Sequence, residues 1–379
     1  MSDEKLQVLI PGPSAPHLVV AGVPPCVRAA HRIGEELPGA SVVLAGVDAK
    51  FLRKWSGQLA GVALSDRVDP ELPSVALVAD GFPEPGALKR FVSRARPEAR
   101  PARWLSHGTP AAGYMPKPPA EATQSDDSVE AALRVLDNGG EAVLLPGWIT
   151  ASTRSAALEA EAALVALLPK DTDGYIAKFD RRLSIAISRL LLRFPVTPNH
   201  ITTASLVLGL LGAWWLGSGR YGLTLSGSVL LWFCCLLDGC DGEVARLKLL
   251  CSPSGAAYDL WADHVAHLAT FVAIPIGVHR ARPLLSFKTP GVLLVTGFLA
   301  CMFSVWYLVL RKPESERGPY ALLIERVASR DYVYLILALA ALGRLDWFLF
   351  AAAVGSHVFW LVLWALPTAA PAPSPKPAA

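Results

Sequence analysis

A chain of 379 residues with 53% hydrophobic and 18% charged side chains and a mean hydropathy of +0.39 reads as a mixture of soluble and membrane parts, long enough for two domains. Its net charge is only +3, and no dense Lys/Arg block occurs before residue 170, so nucleic-acid binding has no support. The six cysteines show neither zinc-ligand spacing nor a disulfide framework, and the polar, acidic start MSDEKLQ does not read as a secretory signal.

Residues 1–168 read as a soluble α/β domain. Apolar, strand-like runs occur at Leu6–Ile10, Ser41–Val47, Ser74–Ala79 and Glu141–Leu145. Amphipathic segments near Val23–Glu36 and Pro85–Arg94 lie among them, as βαβ alternation requires. Gly108–Ser128 is rich in Pro, Ala and Ser and is expected to be a long loop or lid, and Ser152–Leu168 a last helix. The domain weakly resembles a Rossmann-like sugar-phosphate nucleotidyltransferase. Leu9–Pro13 would be its first strand and phosphate loop, Gly22–Ala29 the turn into the first helix, and Ala79–Gly81 the metal-binding turn. A catalytic phosphate loop needs Gly and basic side chains to cradle triphosphate. Pro11–His17 reads PGPSAPH, with one Gly, three prolines and no Lys or Arg. The domain is therefore expected to have lost nucleotidyl transfer and to keep a binding, docking or regulatory role. Deleting residues 1–150 is then expected to leave chemistry elsewhere in the chain measurable.

Residues 169–199 form a juxtamembrane segment. Ile176, Phe179, Leu183, Ile187 and Leu190 follow helical spacing, and Lys178, Arg181, Arg182, Arg189 and Arg193 add positive charge, as in a helix lying on a membrane surface. An all-α membrane bundle of about six spans is expected over 200–366: Ile201–Leu216, Tyr221–Leu237, Leu260–Val278, Gly291–Leu310, Tyr332–Leu342 and Trp347–Leu366. The fifth is short, since a span needs about 20 residues. Adding the basic helix to Arg246, Lys248 and the Arg/Lys residues of 311–330 outweighs Arg220, Arg280, Arg282, Lys288 and Arg344 on the other side. That balance places the N-terminal domain inside, at the cytoplasmic membrane. Trp and Tyr near span ends read as an interfacial belt, and 367–379 is Pro/Ala-rich and expected to be disordered.

The chemistry concentrates in DGCDGEVARLKLLCSPSGAAYDLWAD, Asp238 to Asp263. Asp238 and Asp241 are three apart and Asp259 and Asp263 four apart, so each pair shares a helix face, with Gly255 one turn before the second pair. Ser252 and Pro253 look like an N-cap and first helical residue, so the chain turns between the pairs. Carboxylates at the edge of an apolar span are costly and mark a functional site by default. Four of them converging require a cation, and hard oxygen ligands without Cys or His suit Mg²⁺, Mn²⁺ or Ca²⁺. The bland alternative is a solvated acidic turn between two membrane helices; an EF-hand fails for want of its alternate-position carboxylates and final Glu. His264 and His267 read as packed rather than functional.

Asp238, Asp241, Gly242, Ala245, Arg246, Gly255, Asp259 and Asp263 resemble the CDP-alcohol phosphotransferase signature, D-x2-D-G-x2-A-R-x8-G-x3-D-x3-D, with no position missing. The resemblance implies a membrane enzyme that displaces CMP from a CDP-alcohol with two Mg²⁺ or Mn²⁺ ions held by Asp238, Asp241, Asp259 and Asp263. It implies that Asp263 also takes the proton of the acceptor hydroxyl. Gly242 and Ala245 would leave room for the cytidine and its phosphates, Arg246 would contact phosphate, and Asp238 and Gly255 would complete the CDP site. Lys170, Asp173 and Gly174, behind a nucleotidyltransferase-like domain, are most similar to bifunctional inositol-phosphate cytidylyltransferase/di-myo-inositol-phosphate-phosphate synthases. The implied partners are a CDP-alcohol donor, an alcohol or polyol-phosphate acceptor and the lipid bilayer, with room for a homodimer. Two alternatives stand: a phospholipid synthase using CDP-diacylglycerol, and a non-catalytic, membrane-anchored nucleotide-binding scaffold.

Overall fold

The computed structural model describes residues 6–13, 18–69, 71–78, 80–95, 97, 100–106, 109–116, 141–168, 175–284, 286–311 and 332–365. The chain divides into two compact units. The first comprises 1–172 with two later segments, 189–195 and 243–251; the second comprises 173–188, 196–242 and 252–379.

The first unit is built on a seven-stranded sheet. Its strands are β1 (Leu6–Pro11), β2 (Ala40–Ala45), β3 (Ala63–Leu64), β4 (Ser74–Leu77), β6 (Ala102–Ser106), β7 (Thr109–Met115) and β8 (Glu141–Leu144), in the order β3-β2-β1-β4-β7-β6-β8. β5 (Gly81–Pro83) and β9 (Trp148–Thr150) form a separate antiparallel pair. β1, β2, β3 and β4 run parallel, while β7 runs antiparallel to both β4 and β6. Side chains alternate across the sheet, as a period of two demands. Val8, Ile10, Val42, Val75 and Leu77 meet α1 (Pro25–Glu36) and α3 (Ala87–Ala95) through Val27, Ala30, Ile33, Leu88 and Phe91. Leu9, Val43, Ala76 and Met115 form a smaller cluster with Ala45 and Val68. Parallel strands covered on both faces read as continuous apolar runs, which is why β1, β2 and β4 were legible. The short α2 (Ala49–Lys54) starts at Asp48, whose side chain accepts from the Phe51 amide at 2.7 Å. α4 (Arg154–Ala166) has Thr153 as N-cap.

One expectation is corrected here. The stretch expected to be a loop or lid from Gly108 contains β7, a central strand of the sheet. Ala111, Ala112, Tyr114 and Met115 are all buried. Pro110 and the small residues around it mask the strand in the sequence, because burial by neighbours on both sides, not local propensity, decides it. The rest of that expected loop, from 117 to 128, lies outside the described residues, as do the Lys170–Gly174 element and the tail 367–379.

The second unit is helical: α5 (Tyr175–Leu191), α6 (Pro198–Leu216), α7 (Tyr221–Leu247), α8 (Pro253–Ala281), α9 (Lys288–Val305), a π-helical turn at Trp306–Leu310, α10 (Tyr332–Ala341) and α11 (Leu345–Ala365). Against the six expected spans, four described helices are long and apolar enough to cross a membrane: Tyr221–Leu247, Pro253–Ala281, Lys288–Leu308 and Leu345–Ala365. α6 opens on Pro198, Asn199, His200, Thr202 and Thr203, which dilute its apolar stretch. α10 has 10 described residues, a rise of roughly 15 Å, about half a bilayer core. Helices approach closely through small residues: a Cβ on Gly227 would lie 2.6 Å from the Gly212 carbonyl oxygen, and one on Gly212 2.9 Å from that of Gly227. α5 forms as the pattern predicts. It buries Ser184 and Ser188 and leaves Phe179 and Leu190 exposed at 58% and 53%. An apolar outer face beside basic residues is the composition of a membrane-surface helix.

Candidate active site

α7 and α8 carry the acidic signature. Ser252 caps α8, its hydroxyl accepting from the Gly255 amide at 3.0 Å, and Pro253 occupies the first turn, where a missing N–H costs nothing. The cap also accounts for Gly255: a Cβ there would stand 2.9 Å from Ser252 Oγ. α7 ends at Leu247 and brings Asp238 and Asp241 onto one face. Asp238 and Asp241 are buried and Asp259 is half-buried.

Each of Asp238, Asp241 and Asp259 offers a carboxylate oxygen, and the three oxygens lie within 4.8 Å of one another. Repulsion at that spacing is about 3 kcal/mol or more per ionised pair at an effective dielectric constant of about 20. Asp259 Oδ1 is buried and has no hydrogen-bond partner among the described residues. An orphaned, inward carboxylate oxygen beside two other carboxylates is the donor set of a hard divalent cation. These residues therefore fit the metal that the signature implies.

Thr202 on α6 adds a feature that the sequence reading missed. Its buried hydroxyl donates to Asp241 Oδ2 and is also 3.2 Å from the Pro198 carbonyl. It thereby holds one carboxylate of the cluster in place. Thr203 and the Tyr258 hydroxyl are 2.9 Å apart, a further link between α6 and α8. A Thr four residues into an apolar helix gives no sequence signal of its own; only the cluster on a neighbouring helix assigns it a purpose.

Asp263, one turn beyond Asp259, is half-buried and lies outside the three-oxygen group. Its Oδ2 is 3.5 Å from His267 Nδ1. His267 in turn is ringed by Phe271, Phe298 and Tyr332, with centroids 5.6–6.5 Å away. His264 bonds its own helix through Nδ1 and the Leu260 carbonyl at 2.6 Å, as a packed histidine does. Gly242 is half-buried beside Asp241, and on the following turn Ala245 is half-buried and Arg246 exposed. These last two residues pack with the first unit.

Residues 195–370 match the family model described as CDP-alcohol phosphatidyltransferase. This part of the chain is therefore similar to that family. The match begins before α6 and takes in every signature residue, and the region it covers is largely the helical unit. Similar curated proteins are each called bifunctional IPC transferase and DIPP synthase. That of Archaeoglobus fulgidus is 27% identical over 216 residues, 55% of this chain and 42% of the relative. That of Thermococcus kodakarensis is 35% identical over 119 residues, 31% and 26% respectively. That of Rubrobacter xylanophilus is 37% identical over 87 residues, 23% and 19%. The matched segments thus span less than half the length of each relative. Among solved structures, the apo phosphatidylinositol phosphate synthase of Mycobacterium tuberculosis overlaps 47% of this chain and 94% of its own, with 21% identity and a TM-score of 0.33. The same enzyme with CDP-DAG bound gives 24% identity and a TM-score of 0.30.

Proposed function

We propose that this protein is a divalent-metal-dependent membrane phosphotransferase. It moves a phospho-alcohol group from a CDP-alcohol to the hydroxyl of a second alcohol, forming a phosphodiester and releasing CMP. The observation that carries this reading is the convergence of Asp238, Asp241 and Asp259, with Asp259 Oδ1 buried and without a hydrogen-bond partner among the described residues, inside a signature whose every gap agrees. Inositol-type substrates are the favoured class, since the curated relatives are named for such a synthase activity.

The residues divide the work as follows. Asp238, Asp241 and Asp259 would hold Mg²⁺ or Mn²⁺, two ions in the full arrangement, with Asp263 completing the set. A metal bound there would supply positive charge against the phosphate oxygens and the leaving CMP. Thr202 keeps Asp241 oriented through its hydroxyl. Asp263 accepts the proton of the acceptor hydroxyl, and His267 beside it fixes the carboxylate's direction. Gly242, Ala245 and Gly255 present little side chain to the nucleotide, and Arg246 offers its guanidinium to the phosphates. The acceptor attacks directly, so no covalent enzyme intermediate is needed.

In this reading the bundle sits in the cytoplasmic membrane. Its signature and N-terminal domain face the cytoplasm, where CDP-activated compounds are made, and α6 and α10 complete six membrane segments. The sheet domain, whose sequence weakly resembles a nucleotidyltransferase, does not transfer nucleotides in this reading. Described residues of its would-be phosphate loop offer no basic group, and Gly12 is committed to the sheet by donating to the Ala45 carbonyl at 2.7 Å.

The test uses purified full-length protein with a panel of CDP-alcohols and acceptors, following CMP by chromatography and product by mass spectrometry. CMP release that needs Mg²⁺ or Mn²⁺ and stops in EDTA is expected, with product in the aqueous phase. Product in the organic phase would transfer the assignment to a CDP-diacylglycerol-dependent phospholipid synthase. No CMP from any donor would leave a membrane-anchored scaffold.

A further inference from the structure

The end of α7 is held in an unusual way. Leu249 has φ +53°, a left-handed conformation that disfavours any residue with a Cβ. The surrounding bonds form a Schellman-type stop: the Leu250 amide donates to the Ala245 carbonyl at 2.8 Å and the Leu249 amide to that of Arg246 at 3.4 Å. Glycine ordinarily fills such a position. A leucine persists there only if its surroundings over-determine it, and here its side chain packs against the hydrophobic core of the N-terminal sheet domain.

The same core supplies a partner for the helix end. Arg28, on α1, is buried; its Nε and Nη2 donate to the Val20 carbonyl at 3.0 and 2.6 Å, and Nη2 also donates to the Leu247 carbonyl. Leu247 is the last residue of α7, so its carbonyl lacks an intrahelical partner and sits at the negative end of the helix dipole. Gln58 Nε2 lies 3.5 Å from the next carbonyl, Lys248. Lys248 Nζ donates to the Phe194 carbonyl at 3.0 Å, which ties in the 189–195 segment. Burying a guanidinium is costly: desolvation pushes the Arg28 pKa down to about 9. That cost is retained for three hydrogen bonds to two carbonyls, one of which ends the helix that bears Asp238, Asp241 and Arg246.

We infer that the N-terminal domain serves the transfer reaction as a clamp on the last turn of α7, with Arg28 and Leu249 as positioning residues for Arg246. The inference rests on the proposed phosphotransfer. It gives the sheet domain a function that needs no nucleotide chemistry of its own.

The experiment uses the full chain in detergent or nanodiscs. Arg28→Met and Leu249→Ser are compared with wild type by hydrogen–deuterium exchange of amides 245–251, and by kinetics with a CDP-alcohol donor at saturating Mg²⁺. Removing a hydrogen bond from a charged donor should speed exchange of these amides about 10–100-fold. It should also raise KM for the donor several-fold, while the metal concentration at half-activity stays near wild type. Arg28→Lys, which can still reach one carbonyl, should recover part of both. Because Arg28 is in a core, burial of Cys26 against maleimide reports whether the domain is still folded. If Arg28→Met fails that check, Leu249→Ser, altered outside the sheet core, carries the test. Unchanged exchange at 245–251 in a folded variant, or faster exchange with an unaltered donor KM, would overturn the clamp. Absence of CMP release by wild type would instead count against the phosphotransfer reading, and the exchange result would still decide whether the clamp exists.

Discussion

Replacing Asp259 by Asn removes one anion from the cluster while keeping its shape. With three oxygens within 4.8 Å, each ionised pair costs about 3 kcal/mol at an effective dielectric constant of about 20. Asp259 takes part in two of the three pairs, so the repulsion relieved is on the order of 7 kcal/mol for fully ionised groups, less whatever proton uptake already relieves. Even about 1 kcal/mol of this gain raises Tm by about 2–4 °C for a domain of this size. The metal acts oppositely: at about 100 times its Kd it stabilises wild type by about 2.7 kcal/mol, and the variant should lose most of that. The two proteins should therefore exchange rank: Asp259→Asn melts higher in EDTA, and wild type melts higher in Mg²⁺ or Mn²⁺. Calorimetry or tryptophan fluorescence of the solubilised protein reads the crossing, and CMP release should vanish in the variant under every condition. A variant that melts lower than wild type in EDTA, yet gains as much from metal, would show that these carboxylates neither repel nor ligate as argued.

Thr202→Val keeps the volume but removes the donor to Asp241; metal affinity should fall about 10–100-fold, as when an outer-sphere partner of a ligand is lost, with the rate recovered at high Mg²⁺. Loss that no metal concentration rescues would mean that Thr202 acts elsewhere. Asp263→Asn should lower turnover by about 10²–10⁴-fold if the residue takes the acceptor proton, flattening the acidic limb of the pH–rate profile, whereas full rescue by excess Mn²⁺ would make it a ligand only. Burial raises the Cys26 thiol from 9.0 to about 12. It should therefore resist maleimide at pH 8 until the domain unfolds. Because its folded pKa is raised, the associated stability is complete below pH 9 and lost as pH rises from 9 towards 12; labelling of Cys26 in the folded protein would contradict the core placement.

The acidic signature was legible because its information is local. Residues three and four apart on a helix share a face whatever the rest of the chain does, and a Ser-Pro cap marks the start of α8 unaided. The same holds for α1, for α5 and for the all-apolar strands of a covered parallel sheet. Features decided by distant partners were not legible. β7 looks like a Pro/Ala loop until β4 and β6 flank it. Thr202 is one of several polar residues at the start of an apolar helix until Asp241 faces it. The span count is legible only coarsely: four described helices meet the length and hydropathy of a span, while the polar start of α6 and the 10 described residues of α10 fall short of that criterion.

Leu249 is the most instructive miss. In sequence, LKLLCSPSG is an unremarkable junction between two helices, and the N-terminal domain looked removable. Local rules ask for Gly or Asn where the chain turns left-handed, and the leucine there breaks the rule. Such violations persist where something else compensates. The compensation is the sheet domain's core, supplied by residues between Leu6 and Ala160, far earlier in the chain. A deletion of 1–150 would strip Arg28 and that core from the end of α7. The leucine would then keep its backbone strain and lose its burial. On this packing the truncated chain should bind its donor more weakly than the intact one, even though every signature residue remains.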